Sequence, residues 1–186
     1  MRKGILFLIV TMSFWLMAAQ GFAGDFSLTS PQFLEGSSLP DEQVLNGFGC
    51  SGGNISPELH WTGEPAGTKS FAVTVYDPDA PTGSGWWHWV VFDIPSSEHV
   101  LPGNSGNTEA GILPAGSIQS RTDFGNPGYG GACPSANDSA HHYQFTIWAL
   151  DVEKLALDEN ASAAMVGFFL HQHQLDRAVL TAIYGR

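Results

Sequence analysis

Positive charge is scarce in this chain. Seven Lys and Arg residues stand against 18 Asp and Glu, a formal net charge of −11 at neutral pH. Such a surface repels nucleic acid and anionic bilayers, which removes both from the expected partners. An anion can still bind, but only in a local site that overrides the overall field. Cysteine is scarce too, with Cys50 and Cys133 the two examples. In an exported protein an even count points to a disulfide between them. Two buried free thiols, or a reactive Cys50 in GFGCSGG, are the alternatives. Repeats, charge blocks and linker-like tracts are absent, so the chain reads as one domain.

Long apolar runs are missing everywhere except at the start. The chain opens MRKGILFLIVTMSFWLMAAQGFAGDF, with Arg2 and Lys3 ahead of an uncharged stretch over Ile5–Ala19. The small residues around Gly21-Phe22-Ala23 complete the pattern of a secretory signal peptide cut after Ala23. The run is shorter than the ~20 residues a spanning helix needs, and no stop-transfer charges follow it. The expected domain is therefore 24–186, in the periplasm or secreted, with no stable membrane insertion.

What the chain has in quantity is glycine, proline and short alternating segments. Ser70–Tyr76 (SFAVTVY) alternates, with Phe71, Val73 and Val75 on one face. Trp87–Ile94 and His142–Leu150 read as further strands, and Phe26–Ser30, Leu59–Trp61 and Ala178–Tyr184 as shorter ones. Asn104–Ser120 is rich in turn residues. One helix is expected over Ser162–His173, capped by Asn160 or Ser162, and a second short one near Val152–Leu157. The fold class is mainly β: an antiparallel sandwich with a few short peripheral helices.

The chemistry concentrates in DPDAPTGSGWWHW, residues 77–89. Side chains at i and i+2 of a strand share a face. Trp86 and His88 therefore pair, as do His141 and Tyr143, while Asp77 ends a third strand. Between them runs RTDFGNPGYGGACPSAND, whose backbone N–H groups suit anionic oxygens because glycine permits close approach. Histidines, a tyrosine hydroxyl and backbone N–H groups are donors, which suits phosphate. Asp77 would repel phosphate directly, so it is expected to accept from a histidine N–H and to favour a charged His88. The tryptophans exclude water and strengthen those contacts. Trp86 supplies an apolar wall, or a face for an organic cation.

Other chemistries fit less well. No Ser nucleophile elbow is visible. Cys50 is the one nucleophile candidate for an enzyme built on Asp77, His88, His141 and Tyr143. For a metal, His141-His142 point to opposite strand faces, and His171-x-His173 diverge on a helix. No metal and no cofactor are expected.

Three segments also carry a family resemblance. DPDAP followed by WWHW, then GYGGACP followed by HHYQF, together with GGNISPELHW at Gly52–Trp61, resemble the signatures of the phosphatidylethanolamine-binding protein (PEBP) family, in its bacterial, exported, Raf-kinase-inhibitor-like branch. The resemblance runs over nearly all of residues 24–186. It implies a PEBP-like antiparallel β-sandwich with a small anion pocket. By motif, the ligand-binding set it implies is Asp77, Trp86, His88, Tyr129, Gly131, Cys133, His141 and Tyr143. Trp87 stands where the family usually has the first His of W-H-H, and His142 where it has the Arg of H-R-Y. Cys133 and Ser135 replace Gly and Pro of eukaryotic members.

The reading that follows is an exported, non-catalytic binding protein for a phosphate-bearing head group or similar small anion. The other class it leaves open is an inhibitor or modulator of a partner protein, a protease or kinase-like; a hydrolase ranks below both. A protein partner and a homodimer are compatible with these residues. Two backbone expectations accompany it. The sharp DPDAP turn suggests a cis Ala80–Pro81 bond, and a second cis bond is conceivable at Gly85–Trp86. The Cys50–Cys133 bridge should tie the NISPEL segment to the glycine-rich loop.

Overall fold

The computed structural model describes residues 25–186, so the expected signal peptide at 1–23 lies outside the described residues. Alternating apolar residues build two facing sheets. The larger contains β5 (Ser70–Asp77), β6 (Trp86–Pro95), β8 (Ile118–Gln119), β9 (His141–Leu150) and β10 (Gln174–Tyr184), in the order β10-β9-β5-β6-β8. The smaller contains β1 (Ser27–Thr29), β4 (Leu59–Thr62) and β7 (Val100–Leu101), in the order β1-β4-β7. A hairpin of β2 (Asn46–Gly47) and β3 (Cys50–Ser51) stands apart. Every ladder is antiparallel.

Period-two patterning decides which side chains meet. Phe71, Val73 and Val75 of β5, Trp89 and Val91 of β6, and Phe145 and Ile147 of β9 are buried against Leu28, Leu59, Trp61 and Leu101 of the small sheet. The opposite face of the large sheet, with Ala72, Val90, Phe92 and Trp148, is covered by α1 (Ala163–His173) through Val166 and Leu170. Ser162 caps that helix by accepting from the Met165 N–H. No helix among the described residues is long and apolar enough to cross a membrane.

The second helix expected near Val152–Leu157 does not form; that stretch is bends and irregular backbone. Its backbone is taken elsewhere: the Leu155 N–H donates to Oδ1 of the buried Asp93. Strand boundaries also move outward. β10 begins immediately after the helix, at Gln174 rather than Ala178.

Two irregularities break strict alternation in β6. Val75 pairs with Trp89 but Tyr76 pairs with Trp87, so His88 is the extra residue of a bulge. A second shift lies between the Phe71 and Val73 rungs, beside Asp93 at φ +57°. A bulge re-aims a side chain at the end of a sheet, and the first of these sets the direction of His88.

Candidate functional site

The ends of β5, β6 and β9 bring Asp77, Trp86, His88, His141 and Tyr143 around one cavity of about 150 Å³, with Cys133 on its wall. The Ala80-Pro81-Thr82 turn, Phe48, Phe124, Pro134 and Ser135 complete the lining. That volume suits a head-group-sized ligand; drug-sized molecules occupy ~300–1,000 Å³. Tyr129 and Gly131, the other two residues expected in the ligand set, do not line it.

Asp77 is the structural hub. It is 3% exposed, and both of its oxygens accept hydrogen bonds. Oδ2 accepts from His141 Nδ1 at 2.7 Å. Oδ1 accepts from the Asp79 and Ala80 backbone N–H groups at 2.9 and 3.1 Å. The histidine held by Asp77 is thus His141 and not His88. The backbone bonds form an Asx-type turn, which supplies the sharpness of DPDAP. Gly83 and Gly85, at φ +78° and +68°, close the rest of the loop. Neither expected cis bond is present: no peptide bond among the described residues is cis, and Ala80–Pro81 and Gly85–Trp86 are both trans.

His88 has a different partner. Its Nδ1 donates to the Gly130 carbonyl at 2.7 Å, and its own carbonyl accepts from the Gly130 N–H at 2.9 Å. This two-point clamp fixes the glycine-rich loop to β6. Burial pushes the His88 imidazole below its usual pKa, against the opposing pull of the Gly130 carbonyl and the Asp77 charge. Burial thus works against the expected charge on His88, because Asp77 makes no hydrogen bond to it and acts only at a distance, while desolvation acts on the whole ring. Burial and the Asp77 charge likewise hold the Tyr143 hydroxyl protonated, well above the usual tyrosine range.

The glycine-rich loop was expected to offer backbone N–H groups to an anion. From Tyr129 to Gly131 those groups are already bonded: to Gly106 O, His88 O and Asn54 Oδ1 respectively. Tyr129 turns away from the cavity and donates to the Gln43 carbonyl at 2.8 Å. Gly131 is needed for close approach, since a Cβ there would lie 2.4 Å from Gln43 O and Leu45 N. Gly131→Ala is therefore expected to cost on the order of 1–3 kcal/mol of stability through forced backbone movement. Urea unfolding of the variant checks this, and an unchanged midpoint contradicts it.

What remains unbonded in the cavity is informative. The Tyr143 hydroxyl and the Trp86 indole N–H are buried with no hydrogen-bond partner among the described residues. The Cys133 backbone N–H acts on the same hydroxyl without completing a hydrogen bond. Buried polar groups are nearly always satisfied, and both of these side chains line the same cavity, where an acceptor would satisfy them.

The rim is aromatic and cross-linked. Phe48, 73% exposed at φ +49°, stacks on Phe124 with centroids 6.0 Å apart. Phe124 in turn meets Trp86 and His88 edge-on. The Cys50–Cys133 disulfide joins the β2–β3 hairpin that carries Phe48 to the cavity wall. Arg186 adds three bonds across the same seam, to Pro134 O, Gly49 O and Phe48 O. Composition and period gave no signal for Phe48. Phe124 lay in plain view within the glycine-rich segment.

The remaining histidines stand apart. His142 sits on the other face of β9, and both its ring and its backbone N–H donate to Asp79. That contact holds the Asp79 carboxyl below its ordinary range. His171 packs edge-on against Trp148, whereas His173 pairs with Asp151. Among the described residues no group of three or more His, Cys, Asp or Glu is arranged for a metal.

The same architecture occurs in characterised folds. The family model described as phosphatidylethanolamine-binding protein matches residues 29–185. The chain is 50% identical to the UPF0098 protein YbcL of Escherichia coli strain K12, over 93% of each chain. It is 52% identical to the UPF0098 protein YbhB of the same strain, over 85% of this chain and 99% of that one. The crystal structure of E. coli YbcL, described as a new member of the mammalian PEBP family, superposes with a TM-score of 0.86 at 51% identity, covering 88% of this chain and 99% of that one. The sandwich and the ordered DPDAP, GYGGACP and HHYQF segments thus have a common source: this chain belongs to the phosphatidylethanolamine-binding protein family.

Proposed function

We propose that this chain is an exported, non-catalytic member of the family whose cavity holds a small oxyanion, either phosphate itself or a phosphate-bearing head group. Family membership supports a binding protein of the PEBP kind. The observation that carries the finer reading is the pair of unpartnered buried donors, Tyr143 Oη and Trp86 Nε1, on two side chains that line one cavity. The disulfide supports export, since such bonds persist in oxidising compartments. It also occupies Cys50, which leaves an enzyme reading without its nucleophile. Asp77 does not oppose the anion as a free carboxylate would, because both oxygens already accept from three donors.

Calorimetric titration with inorganic phosphate tests this. One site is expected, weakened at least tenfold in Tyr143→Phe and in Trp86→Phe, since hydrogen bonds to a charged group contribute ~1.5–3 kcal/mol. Absent binding, or wild-type affinity in both variants, overturns the assignment.

A further inference from the structure

The cavity's hydrogen-bonding groups carry information about the protons of its ligand. His88 Nδ1 lies 2.7 Å from the Gly130 carbonyl. A carbonyl has no proton to give, so Nδ1 carries a proton, and in the neutral ring Nε2 carries the lone pair. No described residue hydrogen-bonds Nε2. The groups facing this ring are Asp77 from β5, Tyr143 and His141 from β9, and Phe124, Asp123 and the Gly130 and Gly131 carbonyls from the loop beside it. His141 keeps Nδ1 on Asp77, with Nε2 3.9 Å from Asp138 Oδ2. No Lys or Arg lines the cavity. The ring is 4% exposed, and burial opposes its protonation. Among these groups, Tyr143 O–H and Trp86 N–H are donors without a partner and His88 Nε2 is an unbonded acceptor, while His141 Nε2, whose ring N–H is on Asp77, stands beside Asp138.

A fully ionised oxyanion mismatches that set, because it would bring a lone pair against the lone pair of Nε2. A phosphodiester monoanion has the same fault: it has no acidic hydrogen left. A phosphate monoester carrying one proton matches all three groups.

We propose that the cavity takes its ligand as the singly protonated phosphate monoester, its P–OH donating to His88 Nε2 while its charged oxygens accept from Tyr143 and Trp86. This rests on the oxyanion reading above and adds a preference to it: monoester over diester. A ligand that keeps its own proton lets His88 stay uncharged among the surrounding apolar rings, where an imidazolium is costly.

The pH dependence separates this from a charged His88. A monoester loses its second proton near pH ~6. Affinity for methyl phosphate is then expected to fall about tenfold per pH unit above that point. A dianion held by an imidazolium would follow the same slope, because the proton count is identical. Dimethyl phosphate breaks the tie, since its charge does not change. It is expected to bind at least tenfold more weakly than methyl phosphate at pH 5.5, with an affinity that is flat from pH 6 to 8.

The experiment is calorimetry of the purified protein with methyl phosphate and dimethyl phosphate from pH 5.5 to 8, in wild type and His88→Phe. Strong monoester preference with a flat diester curve is the expected result, and the variant should lose the preference. Equal binding of the two esters overturns this inference, as does diester affinity that falls tenfold per unit or monoester affinity that rises with pH. Each of those outcomes leaves the oxyanion site standing. Failure of both esters and of inorganic phosphate to bind overturns the site itself. The comparison of esters on the wild type decides the matter even if the variant does not fold.

Discussion

Reduction of the Cys50–Cys133 disulfide is expected to lower the unfolding free energy by about 2–5 kcal/mol and to weaken phosphate binding together with it. The bridge closes a sequence separation of 83 residues, so it restrains a large part of the unfolded chain. In the folded state it links two parts of the cavity. Cys133 lies on the wall, and the hairpin held by Cys50 carries Phe48 over the mouth. Arg186 spans the same seam through Pro134 O and Gly49 O. The hairpin should therefore loosen without leaving entirely. Thermal unfolding and phosphate titration of Cys50→Ser/Cys133→Ser, beside the oxidised wild type, check both parts. An unchanged melting temperature contradicts the first part, and unchanged affinity the second.

Asp77→Ala is expected to be the most damaging single change at the site. It removes the acceptor of three donors, the buried His141 Nδ1 and the N–H groups of Asp79 and Ala80 at the edge of the turn. Leaving a buried donor such as His141 Nδ1 without its acceptor costs about 1–3 kcal/mol. The DPDA turn loses its side-chain closure at the same time, and the Ala80-Pro81-Thr82 wall shifts with it. Phosphate affinity should fall by at least tenfold. Asp77→Asn should do less harm to stability. Its carbonyl oxygen can still accept from the two turn N–H groups, while its amide faces the His141 N–H donor to donor. Urea unfolding ranks the three proteins. An alanine variant as stable as wild type would show that Asp77 does not hold this corner together.

Much of the site was readable because a strand's alternation fixes the facing of its side chains. Asp77 follows Phe71, Val73 and Val75 into the cavity face, and His141 and Tyr143 precede Phe145 and Ile147 on the same face of β9. The cysteine pair was readable from number and compartment. Alternation alone could not locate the bulge at His88, because a bulge depends on how two strands register. It could not assign the partner of Asp77 either. Two histidines were available, and the choice of His141 follows from β9 lying beside β5.

The glycine-rich loop misled for a related reason. Its glycines allow close packing against Gln43, Leu45 and Phe124, and its N–H groups from Tyr129 to Gly131 serve that packing instead of a ligand. In the DPDAP turn, the sharpness of the reversal suggested a cis bond, whereas Asp77 and the left-handed Gly83 and Gly85 achieve it with a trans chain. The absent helix near Val152–Leu157 was lost to a long-range contact with Asp93 that no local pattern contains.

The claim on which all of this turns is that an oxyanion sits against Trp86 and Tyr143. The indole region of a ¹H–¹⁵N correlation spectrum reads it directly, with signals assigned through Trp86→Phe and Trp61→Phe. Trp61 is an internal control: its Nε1 is also buried and unpartnered, but it lies in the core between the sheets. Adding inorganic phosphate should move the Trp86 indole N–H signal saturably and leave that of Trp61 in place. A Trp86 signal that stays fixed while phosphate binds, or that moves no more than Trp61, would contradict the account.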